Sequence, residues 1–290
     1  MFRQVKIKIL SSIKKKLEPR FQAQIATTKL YGKLITVNIN GRDVKMRHHS
    51  SGRKNAPVYI DIHGGGWAWG CIENGDHLRE NFVRQLGIEC YSVDYTLVPN
   101  AFYPTQVNEL YEIVEYMHAH PEEFQIDPNR MIVGGRSAGG NLSAALCLMA
   151  KEKGSFQFMC QLLEYPAMDL TGTFVKHRDR YVEKQALPIW SLKLLIDSYA
   201  SKKQQKEKFC SPLFATREEL EGLPPTVIQT CEYDSVRLDG DLYAERLADA
   251  GVIVRHRCYP KAIHGFSEEE TKEALDWQQY MIDFLKEYVQ

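Results

Sequence analysis

Apolar residues at Phe2, Val5, Ile9, Ile13 and Leu17 recur at steps of three and four, so the first twenty residues read as a helix. Its other face is rich in lysine. The apolar stripe is expected to dock on the body of the protein; the weaker alternative is a helix lying on a membrane surface, which would want Trp on the stripe. Next come two short β-type runs, residues 34–39 and 44–48, with Asn40-Gly41 between them, a strong hairpin signal. From there strand and helix patterns alternate. Strands are expected at 58–62, 88–93, 131–133, 156–163, 226–229 and 252–258. Helices are expected at 79–86, 107–118, 141–151, 242–250 and 272–288. Such alternation implies βαβ units, a mostly parallel sheet and helices on both of its faces. Between Tyr165 and Thr226 no strand signal appears. Residues 170–209, with helical patterns at 189–199 and in the charged run 202–208, read as an insertion on the upper rim of the sheet.

Composition narrows the class. The chain has 290 residues, 44% apolar and 26% charged, ordinary for a globular α/β protein and unlike a disordered or collagen-like one. Length alone would allow two domains, but α/β folds often run to this size as one, and residues 1–290 are read as a single domain. Lys+Arg and Asp+Glu are 37 each, so no bulk field favours nucleic acid. No apolar run is long enough to span a membrane. Seven cysteines lie without a CxxC pair, which argues against a zinc ribbon or dithiol motif and suits buried free thiols in a reducing compartment. The charged N-terminus breaks any signal-peptide core, so the expected location is the cytoplasm.

Two glycine motifs carry the chemistry. Gly135-Arg136-Ser137-Ala138-Gly139 is G-x-S-x-G, preceded by the run 131–133 and followed by a helix rich in small residues. A strand–Ser–helix junction forces a sharp turn. Flanking glycines let strand and helix approach, and the serine is left exposed at the carboxyl edge of the sheet. The bland alternative is a glycine turn before a helix. The second motif, His63-Gly64-Gly65-Gly66-Trp67, follows the strand 58–62 and bares backbone N–H groups that can bind an oxyanion. A phosphate cradle would end in Lys and Ser or Thr, whereas Trp67-Ala68-Trp69 follows here. His63 itself reads as an organiser of its loop.

A serine nucleophile needs a base and an orienting acid. His264 lies between the strand 252–258 and the last helix, and Asp234 lies just after the strand 226–229, so a parallel sheet brings both to the edge where Ser137 emerges. The order Ser137, Asp234, His264 is that of α/β-hydrolases. Glu232 and Asp239 compete for the acid. Among the histidines, His256 reads as an in-sheet residue, His48, His49, His77, His118 and His120 precede the serine, and His177 in the insertion could line a pocket. No H-E-x-x-H and no spaced Asp/His cluster occurs, so no metal is assigned.

These stretches resemble the hormone-sensitive-lipase family of α/β-hydrolases, in its bacterial esterase group. The likeness runs from Val58 to the C-terminus and is carried by the two glycine motifs, Val93-Asp94-Tyr95-Thr96-Leu97-Val98-Pro99, Ile126-Asp127-Pro128-Asn129-Arg130, Glu164-Tyr165-Pro166, Leu223-Pro224-Pro225, Glu232-Tyr233-Asp234 and His264-Gly265-Phe266. It implies an α/β-hydrolase fold and a triad of Ser137, Asp234 and His264. The implied oxyanion donors are the N–H groups of Gly65, Gly66 and Ala138. A cap over the site would come from residues 1–30 and the 170–209 insertion. Arg136 stands where the family usually has Asp, which changes the charge beside the elbow and leaves substrate preference and any local salt bridge there open, but not the nucleophile. Thr96 stands where it usually has Arg, a difference read as structural. The expected activity is hydrolysis of small, short-chain esters through an acyl-enzyme, with no cofactor, a small-molecule ester as the partner, and homo-oligomerisation left open. The alternatives are an arylformamidase-like amide or formamide hydrolase on the same triad and a non-catalytic small-molecule receptor.

Overall fold

Alternate side chains of the central strands enter two different cores. In the strand Ala56–Ile62, Val58, Ile60 and Ile62 join one apolar cluster and Tyr59 the other; in Ile126–Arg136, Met131 and Val133 join the first and Ile132 the second. A strand buried on both faces in this way needs helices on both. The computed structural model describes residues 2–173, 187–269 and 271–289. In chain order its elements are α1 (Phe2–Thr27), β1 (Lys33–Ile39), β2 (Arg42–His49), β3 (Ala56–Ile62), α2 (Asp76–Leu86), β4 (Glu89–Val93), α3 (Thr105–Ala119), α4 (Pro121–Phe124), β5 (Ile126–Arg136), α5 (Ala138–Lys153), β6 (Cys160–Glu164), α6 (Ile189–Tyr199), α7 (Arg217–Leu220), β7 (Thr226–Tyr233), α8 (Arg237–Asp249), β8 (Val254–Ile263) and α9 (Lys272–Val289).

The eight strands form one sheet in the order β1-β2-β4-β3-β5-β6-β7-β8. β1 pairs antiparallel with β2, and β2 with β4; every other pairing is parallel. Asn40 and Gly41 both take left-handed φ (50° and 83°), as a tight two-residue hairpin requires. Side chains of α3, α5 and α8 fill one core, while those of α2 and α9 fill the other. Because β3 and β5 to β8 run in parallel, the segments that follow them all emerge at one edge, where ligands of open α/β sheets bind.

Three expectations need correction. The strand expected over 156–163 is only Cys160–Glu164; Phe156 and Phe158 pack their rings together in the loop, with Phe156 also against Tyr111, so their β-type character serves packing. The charged run 202–208 holds one 3-10 turn, Gln204–Lys206, because only Gln205 within it is buried and no apolar stripe exists to hold a helix. The segment 174–186 of the insertion, with His177, lies outside the described residues.

The third correction concerns the first helix. Ile13 of the expected stripe packs against the core, but Val5 and Ile9 are 52% and 46% exposed, while Leu10, off the stripe, is 1% exposed. The side chains of Phe2 and Leu17 lie outside the described set. Docking is instead led by cations. Arg3 donates to the carbonyls of Ser198 and Tyr199 (3.2 and 3.0 Å), and Lys6 pairs with Asp197. These are last-turn groups of α6, whose carbonyls lack intrahelical donors and attract positive charge. Leu10→Ala is therefore expected to cost about 2–5 kcal/mol in urea unfolding. Val5→Ala and Ile9→Ala should stay within about 0.5 kcal/mol; the opposite ranking would put the expected stripe back on the core.

Candidate active site

Ser137 sits between the last residue of β5 and the first of α5, with φ 56° and ψ −114°. That left-handed conformation is strained for a residue with a Cβ. Close approach makes the glycines around it obligatory: a Cβ on Gly135 would lie 2.3 Å from the Ile62 carbonyl oxygen, and one on Gly139 1.9 Å from the same atom. The Ser137 N–H donates to the Glu164 carbonyl at 2.9 Å, which pins the elbow to the end of β6. Its side chain makes no helix-capping bond.

Ser137 Oγ instead lies 2.8 Å from His264 Nε2, and His264 Nδ1 lies 2.7 Å from Asp234 Oδ2. The other Asp234 oxygen accepts the Val236 N–H at 3.0 Å, fixing the carboxylate against the start of α8. The edge of the Tyr165 ring packs on the imidazole, 4.8 Å between centroids. Burial pulls the pKa of His264 down, but the charge and hydrogen bond of Asp234, with Glu268 nearby, outweigh it and leave it raised above its ordinary value. A hydroxyl facing an imidazole whose second nitrogen meets a buried carboxylate is an arrangement able to deprotonate the hydroxyl on attack.

The loop after β3 lies against this elbow. A Cβ on Gly64 would be 2.8 Å from the Arg136 carbonyl oxygen, and Gly65 takes a φ of 109°. Among the described residues, neither the Gly65 nor the Gly66 N–H donates to another group. Ala138 opens α5, where an N–H has no intrahelical acceptor. His63 behaves as its loop's organiser: it contacts the Gly64 carbonyl at 2.8 Å through Nδ1 and stacks on Tyr95, whose hydroxyl donates to the His63 carbonyl. Burial lowers its pKa to about 4, so it is neutral near pH 7.

The competing residues have other partners. Asp239 accepts the N–H groups of Met168 and Asp169 (3.0 and 2.9 Å). Glu232 accepts the Lys261 N–H at 2.7 Å, and His256, in β8, pairs with Asp241 of α8 at 3.0 Å. His48 pairs with Glu89 and His49 with Asp76; His120 contacts the Tyr116 carbonyl, His118 lies beside Phe156, and His77 lines a neighbouring cleft. Thr96 donates to Glu109 of α3 through its N–H and hydroxyl, both at 2.8 Å, a structural role.

Behind the elbow lies a set of buried charges that sequence reasoning did not assemble. Arg136 Nη2 is 3.0 Å from Asp61 Oδ2, which also receives Arg79. Arg136 Nη1 is 3.7 Å from Glu164 Oε1, and its Nε is 3.9 Å from Glu268 Oε1. Arg136 is thus ion-paired behind the elbow, which answers what the exchange of Asp for Arg left open. Burial pushes Glu164 up to about 6 against the opposing pull of Arg136, while Ser267 and Trp277 donate to its Oε2 (2.5 and 3.0 Å). Desolvation would raise Asp61, but the two guanidiniums win and hold it below the usual carboxylate range. The one available signal was an acid inside the otherwise apolar run Val58-Tyr59-Ile60-Asp61-Ile62.

Ser137 and His264 open into a cavity of about 260 Å³, walled mainly by Trp69, Leu187, Leu192, Leu195 and Val236. α6 roofs the glycine loop: Leu195 lies where a Cβ on Gly66 would go, and Tyr199 stacks on Trp67 at 4.5 Å. Among the described residues, no three His, Cys, Asp or Glu side chains gather as a metal would require. NMR titration should place the His264 pKa above its ordinary value. Asp234→Asn removes the main charge favouring the cation, so the titration should move to lower pH; an unmoved titration would contradict the pairing.

Comparisons with known proteins identify the fold and the family. A family model described as an alpha/beta hydrolase fold matches residues 59–268. The carboxylic ester hydrolase LipN of Mycobacterium tuberculosis is 33% identical over 236 residues, 77% of this chain and 61% of its own length. The carboxylesterase NlhH of the same organism is 32% identical over 221 residues, 74% of this chain and 67% of its own length. The chain therefore spans 61% and 67% of these two relatives. The crystal structure of a thermostable esterase from Pseudomonas putida superposes with a TM-score of 0.85 at 28% identity, covering 99% of this chain and 97% of that one. With the eight-stranded sheet and its glycine-lined edge, these matches show that the chain belongs to the α/β-hydrolase family, in its hormone-sensitive-lipase-like group.

Proposed function

We propose that this esterase hydrolyses small, short-chain acyl esters through an acyl-enzyme formed on Ser137. The observation that carries the reading is the hydrogen-bonded chain Ser137–His264–Asp234 (2.8 and 2.7 Å) opening into an apolar cavity. Ser137 Oγ attacks the ester carbonyl as His264 Nε2 takes its proton. Asp234 holds the imidazole with Nδ1 protonated and balances the imidazolium that forms. The carbonyl oxygen becomes an oxyanion facing the N–H groups of Gly65, Gly66 and Ala138, where one good donor is worth about 3–4 kcal/mol. His264 then returns the proton to the leaving alcohol, and water cleaves the acyl-enzyme by the same relay. No cofactor enters this sequence.

The size of the cavity supports short acyl groups: about 260 Å³ is below the roughly 300–1,000 Å³ of pockets for drug-sized ligands. Residues 1–30 and 170–209 act as the cap in this reading, supported by α6 over the glycine loop and by the cations of α1 on the end of α6. The protein is placed in the cytoplasm, a reading supported by seven cysteines that form no disulfide. No helix among the described residues is long and apolar enough to cross a membrane.

Ser137→Ala should abolish hydrolysis of p-nitrophenyl acetate while circular dichroism stays that of the native fold; turnover surviving in that variant would refute the assignment. Across p-nitrophenyl esters from acetate to palmitate, kcat/KM should peak at the short end and fall steeply with length. N-formylkynurenine assayed beside them should be the poorer substrate. If it is cleaved faster than the acetate ester, the formamide hydrolase is the better reading.

A further inference from the structure

Arg136 is fully buried directly before Ser137, yet it touches no reacting atom. We propose that Arg136 is a positioning residue whose guanidinium holds the oxyanion loop, the Ser137 elbow and the His264 loop in one register, a role that rests on reading Ser137, His264 and Asp234 as the triad. Three segments meet on it. Asp61, two residues before His63 at the end of β3, is bound through Nη2 at 3.0 Å. The same Nη2 donates to the Asn74 carbonyl at 3.2 Å, so the stretch that follows the glycine loop hangs from it too. Glu164 faces Nη1 and its backbone carbonyl holds the Ser137 N–H, while its carboxylate accepts from Ser267. Glu268, four residues beyond His264, faces Nε and also accepts from the Asn74 side chain at 3.3 Å.

The charges match this role. Asp61, Glu164 and Glu268 converge from three parts of the chain, and a carboxylate at position 136 would be a fourth acid among them. A guanidinium is planar, permanently charged and presents N–H groups in several directions, so one side chain hydrogen-bonds Asp61 and faces Glu164 and Glu268 at ion-pair distance. Gly75 leaves room for it: a Cβ there would come within 2.8 Å of Nη1. Buried ion clusters add little net stability, but they can select one arrangement among near alternatives. The three bound segments carry the oxyanion donors, the nucleophile and the base, whose relative placement governs the rate. A shift near 1 Å at such a site costs on the order of 100-fold.

The test is steady-state hydrolysis of p-nitrophenyl acetate, normalised to sites titrated with a fluorophosphonate, alongside thermal unfolding. Arg136→Met should lose about 10–100-fold, mainly in kcat rather than KM, and Arg136→Lys should recover part of it. Glu268→Gln removes the charge facing Nε at an exposed carboxylate while its amide oxygen can still accept from Asn74. It should lose about 3–10-fold in kcat at the native Tm, and its effect through Arg136 is separated from its effect on the His264 charge by the double variant. The Arg136→Met/Glu268→Gln double variant should be no worse than Arg136→Met alone, since both act through one contact. Wild-type kcat in Glu268→Gln, or losses that multiply in the double variant, would overturn the proposal. If Arg136→Met does not fold, Glu268→Gln and Arg136→Lys decide it alone. Turnover in Ser137→Ala would instead sink the triad, whereas a dead Ser137→Ala beside unimpaired Arg136 and Glu268 variants sinks only the positioning role.

Discussion

The site depends on one close approach, that of the β5–α5 junction to the Ile62 carbonyl at the end of β3. A Cβ at Gly135 or Gly139 would collide with that oxygen, so only glycine lets the N-terminus of α5 come this near. The approach has two consequences. Ser137 is turned into a left-handed conformation that costs on the order of 1–3 kcal/mol and lifts its hydroxyl clear of the helix. The glycine loop, which continues β3, is brought alongside the same serine. Ser137 and the bare glycine amides are therefore neighbours because two strands are neighbours, and the parallel direction of β7 and β8 delivers Asp234 and His264 to the same rim.

Electrostatics then separates the roles of buried His63 and half-buried His264. Among the described residues no carboxylate is hydrogen-bonded to His63; burial outweighs the pull of Asp61 and keeps it neutral, which suits a ring that props a loop. His264 is also drawn out of water, yet Asp234 and Glu268 more than offset that cost and favour its protonated form. The buried charges behind the elbow follow the same logic. Asp61 stays ionised because two guanidiniums share it, and Glu164, with weaker compensation, is pushed towards neutral.

Much of this was legible in the chain because the signals are local. A glycine run after an apolar strand, a serine flanked by glycines before a small-residue helix, and an acid or a histidine just after a strand each need only a few adjacent residues, and the order Ser137, Asp234, His264 then joins them. What escaped is non-local or runs against the apolar pattern. The first helix was expected to dock through Phe2, Val5, Ile9, Ile13 and Leu17; Ile13 packs on the core, but Val5 and Ile9 are exposed, Leu10 is buried instead, and Arg3 and Lys6 reach the end of α6. The ties of Arg136 to Asp61, Glu164 and Glu268 join three parts of the sheet and have no period along the sequence. The walls of the cavity come partly from α6, whose helix was readable but whose seat over Gly66 was not.

The central claim is that chemistry passes through one hydroxyl. Mass spectrometry of peptides after stoichiometric reaction with a fluorophosphonate tests it most directly. The account predicts a single adduct on Ser137, with esterase turnover lost in proportion to labelling. A label on another residue, or full turnover in completely labelled protein, would contradict it.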